Sequence, residues 1–470
     1  MKLNHSTLDH LPSLVRRPDY VPSQQACGIV HLGVGAFHRA HQAVYTDAAM
    51  NAGERNWRIL GVSLRTRSVH DQLIPQDGLY SVSTKSEAAP EVRVIGAIAN
   101  VLVAPENPAA VVAALASAAT RVVTLTVTEK AYHQSTGGGL DMNAPAVAAD
   151  LSHRGPTTIY GYLAAGLRGR WRESAGGLTL LSCDNMANNG KSLARSLNDF
   201  LELYDPALAD WTRHNCSFPS SMVDRIVPAT TDADRRALSE TSGVEDSGAV
   251  FTEPFSQWII EDSFVESRPG WEQHGAQLVN DVAPYETAKL RMLNGAHSAL
   301  AYLGLARGLS LVSEAIADPQ VGRLASRLMR EEAATSFNPA PGQDLRHYAD
   351  ELEARFSNPA LPHRLIQIAM DGSQKIPQRW LDTLSARQET GRDCPAILQA
   401  LASWILYVRG TSGEVDDPMR DQLARTWQSA GHTGIASALF GESGLFREHW
   451  SASETAIEHL NTHIRESAET

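Results

Sequence analysis

The segment Pro284-Tyr-Glu286-Thr-Ala-Lys289-Leu-Arg291-Met-Leu-Asn294-Gly-Ala-His297-Ser gathers an acid, an amine, an amide and an imidazole in one short stretch. Its Ala, Leu and Met content suits a helix. At about 100° per residue Glu286, Lys289 and His297 point within roughly 80° of one another, with Asn294 about 60° to the other side of His297. One pocket can receive all four. Oxidising a secondary alcohol needs a base for the hydroxyl proton while hydride leaves carbon, and donors for the negative charge that develops on oxygen. Lys289 is the candidate base, because desolvation or a cationic neighbour such as Arg291 lowers an ammonium's pKa. Asn294 offers an amide to the oxyanion, Asn185 offers a second, and His297 orients the hydroxyl. Each of these residues alone is commonplace in a helical domain. Together, and with no Cys or acidic cluster spaced for zinc, they favour a mechanism with no metal.

The elements that must position them alternate. Gly28-Ile-Val-His-Leu32 reads as a strand that runs into Gly33-Val-Gly35-Ala36-Phe37, with a helix expected over 38–50. Further strands are expected over 57–62, 92–98, 121–127 and 178–183, with helices between them, among them 108–119 and 191–203. The strand over 178–183 ends in Asp184-Asn185-Met-Ala-Asn188-Asn189-Gly190, and ligands favour such carboxyl ends. From about Pro284 helices dominate, including 288–305 and 323–334, with loops over 337–342 and 358–363. The expectation is an α/β chain. A Rossmann-type doubly wound, mainly parallel sheet domain over 1–283 precedes a mostly α-helical substrate and catalytic domain over 284–470.

Glycines at 33 and 35 let backbone N–H groups approach a pyrophosphate, so the dinucleotide is expected against Gly33, Gly35, Ala36 and Phe37. His38 stands where the third glycine of the usual fingerprint falls, which makes the loop alone a weak signal. No ribose-binding acid ends the second strand. Arg65 and Arg67 follow it instead, and a 2′-phosphate could meet them; NAD is expected, with NADP open.

Acidic residues exceed Lys and Arg by 53 to 41, a net charge of -12, which leaves no electrostatic footprint for nucleic acid or an anionic membrane. A small-molecule substrate is expected. The four scattered cysteines and the polar amino terminus, broken by Pro12 and Pro18, point to the cytoplasm, and nothing sets an oligomeric state.

Five motifs run through nearly the whole chain: Gly33-Val-Gly-Ala-Phe-His-Arg-Ala-His-Gln42, Thr126-Val-Thr128-Glu129-Lys130, Ser182-Cys-Asp-Asn185, Met222-Val-Asp224-Arg-Ile-Val-Pro228, and Lys289 to His297. With them the chain resembles the polyol-specific long-chain dehydrogenases, the family of mannitol 2-dehydrogenase, D-arabinitol dehydrogenase and D-mannonate oxidoreductase (fructuronate reductase). The resemblance implies a zinc-free cleft between the two domains. It makes Lys289 the base, Asn294 and Asn185 the oxyanion donors, and His297 and Lys375 substrate contacts. Asp224 then holds a substrate hydroxyl and Glu286 relays protons between the lysine and solvent. Arg65, Thr128 and Glu129 are expected on the cofactor. Lys130, Arg291 and Gln367 pull the substrate toward a sugar acid, D-mannonate, because charge-assisted hydrogen bonds suit a carboxylate. The run His41-Gln-Ala-Val-Tyr-Thr-Asp47 looks instead like mannitol 2-dehydrogenase, and Lys130 also suits the cofactor or a strand cap. Two other classes stay in view: a Schiff-base enzyme using Lys289 on a keto sugar, and a sugar-binding protein without turnover.

Overall fold

The computed structural model describes residues 1–86, 90–135, 138–152, 154–410 and 415–468. The chain divides into two compact units, Met1–Val282 and Ala283–Thr470.

In the first unit, alternating apolar residues build strands β1 (Cys27–Leu32), β2 (Arg58–Ser63), β3 (Ile98–Val103), β4 (Val122–Leu125), β5 (Leu178–Ser182) and β6 (Cys216–Ser217). Among the described residues they form one sheet in the order β3-β2-β1-β4-β5-β6, every pair parallel. This is the strand order of a Rossmann sheet, and its direction of winding reverses between β1 and β4. The sheet is buried on both faces. Ile29 and Val122 join one apolar cluster with Met50 and Trp258, whereas Val30, Leu32, Val123 and Leu125 join another with Val111, Leu163 and Leu197. Successive side chains on a strand point to opposite faces, so near-continuous apolar runs are what two covered faces require.

Two expectations need correction here. The helix expected over 38–50 breaks at His41, whose φ of -125° and ψ of -92° separate Ala36–Ala40 from Gln42–Asn51. The strand expected over 92–98 is two strands. Val92–Ile95 runs antiparallel to Tyr80–Thr84 in a separate four-stranded sheet, and only from Ile98 does the chain enter β3. The break lies at Gly96, whose N–H donates to Asp47 Oδ1 at 2.9 Å, away from either ladder, and whose Cα packs so close to Pro22 that a Cβ would lie 2.8 Å from its Cγ. A further sheet, Ser221–Asp224 with Gln257–Glu261 and Gln277–Val279, has no strong sequence signal.

The second unit is helical around a single large apolar cluster that includes Met292, Leu293, Ala296, Leu300, Trp380 and Trp404. The helix expected over 288–305 is not uniform. An α-helix over Ala283–Ala288 passes into a π-helix over Lys289–Asn294 and back to an α-helix over Gly295–Ala306. The helix expected over 323–334 likewise becomes Pro319–Arg327 followed by a π-helix, Leu328–Ala333, and a third π-helix covers Pro377–Leu381. Both of these pack against Lys289–Asn294.

Candidate active site

The turn after β1 is built for close backbone approach. Gly33 has φ +94°, and a Cβ there would lie 2.1 Å from the Thr126 carbonyl oxygen. Thr126 donates from its backbone to Leu32 O at 3.0 Å and from Oγ1 to Gly33 O at 2.9 Å, which cinches the exits of β1 and β4 at the switch point. Gly35 is different. A Cβ on it would meet only Gly33 O, at 3.8 Å, so the turn presents bare backbone just where Ala36–Ala40 begins with no side-chain cap. A diphosphate fits that cradle, with backbone N–H groups as its donors. Phe37 stacks on His41 at 5.0 Å.

His38, in place of a third glycine, lies flat on His31 with ring centroids 3.4 Å apart and planes 14° apart. His31 is held by Thr124 Oγ1 at 2.7 Å and Thr126 Oγ1 at 2.8 Å. Burial pushes the His31 imidazole down to about 3 and that of His38 well below its usual range, so both rings are neutral. The helix therefore packs on the sheet through two stacked rings where the common fingerprint uses a glycine.

Arg65 is exposed beyond β2. It has no ion pair among the described residues, whereas Arg67 is paired with Glu106 and with Asp71. Thr128, Glu129 and Lys130 are exposed beyond β4, with Thr128 leading into the turn Glu129–Tyr132. Tyr132 donates to Asp184 Oδ2 at 2.7 Å, and the Val127 N–H donates to the same carboxyl group. Burial lifts the Asp184 carboxyl to about 7 against these hydrogen bonds, which favour its ionised form.

Asp184 and Asn189 hold the candidate site together, and sequence reasoning gave them no role. Asn189 is fully buried and donates through Nδ2 to Asp184 O at 2.9 Å and to Ser221 O at 2.7 Å, while its Oδ1 accepts from Ser221 N at 2.9 Å. Those bonds lash the cluster after β5, which carries the exposed Asn185, to the strand Ser221–Asp224, which ends in the buried Asp224. Gly190 permits the approach, since a Cβ there would sit 2.5 Å from Phe218 O. The next residue, Arg225, donates to Ala40 O at 2.5 Å and to Glu253 O, tying Asp224 back to the helix of the glycine turn.

In the second unit, Glu286 and Lys289 are buried, three residues apart and hence neighbours on the helix. The π-helix then changes the geometry. On a uniform α-helix Lys289 and Asn294 would diverge by about 140°. In a π-helix residue i bonds residue i+5, so Asn294 stands one turn above Lys289, and His297 follows three residues on in the resumed α-helix. Acid, amine, amide and imidazole thus occupy successive turns of one side. His297 packs against Phe356 at 4.6 Å and His363 at 5.4 Å. Burial first, then the His363, Arg355 and Arg379 charges, push it well below its usual range, so it is a neutral donor or acceptor.

Arg291 is not on that side. Two residues from Lys289, it donates through Nη1 to Ser336 O and Ser336 Oγ, both at 2.9 Å, so the expected cationic neighbour of Lys289 is turned elsewhere. Gln367 is exposed on Leu365–Ala369. Lys375 donates to Met370 O at 2.5 Å and Ile368 O at 3.4 Å, and burial, then the Arg379 charge, lower its pKa. Arg379 is a further residue missed from sequence: it donates through Nη1 to Ser298 Oγ at 2.8 Å and Asn294 O at 3.4 Å. Trp380 donates to Gly295 O at 3.1 Å. The third π-helix thus takes up carbonyls at the point where the Lys289 segment returns to α-helix. No trio of His, Cys, Asp or Glu among the described residues is placed to hold a metal ion, and no helix among them is long and apolar enough to cross a membrane.

A parallel sheet in Rossmann order with a glycine turn at its switch point, followed by a helical unit with a buried lysine, is the build of a dinucleotide-dependent oxidoreductase acting on secondary alcohols. The chain belongs to the mannitol dehydrogenase family. The family's Rossmann-domain model matches residues 27–273, and its C-terminal-domain model matches residues 281–466. The chain is 39% identical over 446 residues to the D-mannonate oxidoreductase of Escherichia coli K12, covering 92% of each protein. It is 36% identical over 489 residues to the mannitol 2-dehydrogenase of Aspergillus fumigatus, covering 100% of this chain and 97% of that one. Among solved structures it matches the Pseudomonas fluorescens mannitol 2-dehydrogenase in ternary complex with NAD and D-mannitol, with a TM-score of 0.84 at 35% identity, over 100% of this chain and 96% of that one.

Proposed function

We propose that this protein interconverts D-mannonate and D-fructuronate, with NAD as its cofactor and Lys289 as the base. The observation that carries the chemistry is the π-helical turn, which stacks the buried Lys289 beneath Asn294 and next to Glu286. A nicotinamide cofactor, its diphosphate held at the glycine turn, would supply the hydride acceptor and, in reverse, the donor. Lys289 takes the hydroxyl proton as the C–H electron pair leaves. Asn294, with Asn185 from the other unit, donates to the oxygen as charge grows on it. His297, neutral, holds the same hydroxyl, Asp224 holds another along the chain of the sugar, and Lys375 is a further polar contact to the substrate. Glu286, one turn before the lysine, passes its proton toward solvent.

The sugar-acid choice is supported by the 39% identity to D-mannonate oxidoreductase. A second reading, D-mannitol to D-fructose, is favoured by the likeness to a complex that holds NAD and D-mannitol. Steady-state rates with mannonate, fructuronate, mannitol and fructose, each with NAD and NADP cofactors, separate the two. The expected result is the highest kcat/KM on the hexonate pair with the NAD form; turnover of mannitol and fructose alone rejects the sugar-acid reading.

A further inference from the structure

Two partly buried cations of the second unit stand side by side. Arg379 and Lys375 lie four residues apart at the join of Gly372–Ile376 and Pro377–Leu381, so they are neighbours on one helical face. Neither forms an ion pair among the described residues. Lys375 spends its ammonium on the carbonyls of Met370 and Ile368. Asp371, Asp416 and Asp417 are near enough to favour its charge, but Asp417 is itself occupied by Ser373 and by the Met419 N–H. Arg379 is largely buried, and burial brings its pKa down to about 10, with only the Tyr302 hydroxyl counted against that. A guanidinium in such surroundings keeps N–H groups that a carboxylate ligand can take.

Its geometry leaves room for that ligand. Nη1 is committed to Ser298 Oγ and Asn294 O, which anchors the group beside the catalytic turn, while Nε and Nη2 have no hydrogen-bond partner among the described residues and neither atom is sealed from solvent. Those remaining N–H groups form the planar fork that matches a carboxylate two-for-two. The Arg379 charge also acts on His297 and Lys375, both of the candidate substrate surface.

We infer that Arg379, with Lys375 beside it, binds the carboxylate of the sugar acid and is the residue that sets preference for a hexonate over a neutral hexitol. This rests on the sugar-acid reading above, with the cation assigned to Arg379 in place of Arg291, whose guanidinium is held by Ser336. A neutral hexitol gives the fork no anion, so the preference is a difference in charge pairing at one end of the substrate.

The test is the ratio of kcat/KM for D-mannonate to that for D-mannitol in the wild type, Arg379→Gln and Arg379→Lys, with folding followed by thermal melting. Loss of a charge-assisted fork is expected to lower the ratio roughly tenfold to a hundredfold in Arg379→Gln, chiefly through the hexonate KM, with partial recovery in Arg379→Lys. A purely structural role for Arg379 at Ser298 and Asn294 lowers both substrates alike; an unchanged ratio therefore overturns the inference. If the wild type oxidises mannitol but not mannonate, the sugar-acid reading fails by itself. Inhibition of mannitol oxidation by mannonate then decides Arg379: competitive inhibition weakened in Arg379→Gln upholds carboxylate binding, and inhibition absent or unaltered overturns it.

Discussion

At the scale of single residues, several groups act by holding others. Asp184 receives Tyr132 and the Val127 N–H at the exits of two strands, and burial lifts its carboxyl from 3.8 to about 7. Between those values the folded protein binds a proton that the unfolded chain has lost. The stability linked to Asp184 is therefore complete below about pH 4 and is lost as pH rises through about 7. Asp184→Asn removes that dependence, so the melting temperature of the variant minus that of the wild type is expected to rise by a few degrees between pH 5 and pH 8; a flat difference contradicts the assignment. Arg65 and Arg67 separate in the same way. Arg67 is occupied by Glu106 and Asp71, and Arg65 is exposed. Arg65→Ala is expected to lower the NADP-to-NAD ratio of kcat/KM about tenfold, and Arg67→Ala to leave that ratio nearly constant. Steady-state rates with the two cofactors check both. The candidate reacting residues stood out from spacing, because acid, amine, amide and imidazole in one helix are an unusual density. Asp184, Asn189 and Arg379 were not, since each works through backbone groups of segments that only folding brings near.

At the scale of elements, the π-helix over Lys289–Asn294 decides which side chains share a face. Periodicity reveals a helix there but not an i+5 turn, because the apolar positions Ala288, Met292 and Ala296 keep a spacing of four. The neighbouring π-helix supports it through Trp380, whose indole satisfies the Gly295 carbonyl. Trp380→Phe keeps the ring in the core and removes that indole donor, an expected loss of about 1 kcal/mol by denaturant unfolding. Gly33→Ala places a Cβ against the Thr126 carbonyl and is expected to weaken cofactor binding tenfold or more, as read by titration of NADH fluorescence. The strands β1, β2, β4 and β5 were plain in their Val, Ile and Leu runs. The short strands Tyr80–Thr84, Val250–Thr252 and Ser221–Asp224 were not, for they are fixed by pairing across long sequence separations, as Val250 with Val82.

At the scale of the whole molecule, composition and alternation of elements foretold a Rossmann-type unit and a helical one, and the sheet order and family membership bear out that fold class. The net charge of -12 offers no electrostatic footprint for polyanions, and it also repels an anionic sugar, so local cations have to offset it. The central claim is that Lys289 is the base of a hydride-transfer reaction. Its most direct test is the oxidation rate of Lys289→Ala at neutral pH, followed at the reduced-nicotinamide absorbance, beside a titration of cofactor binding. The rate is expected to fall by about three orders of magnitude or more with cofactor affinity retained; an unchanged rate would contradict the claim.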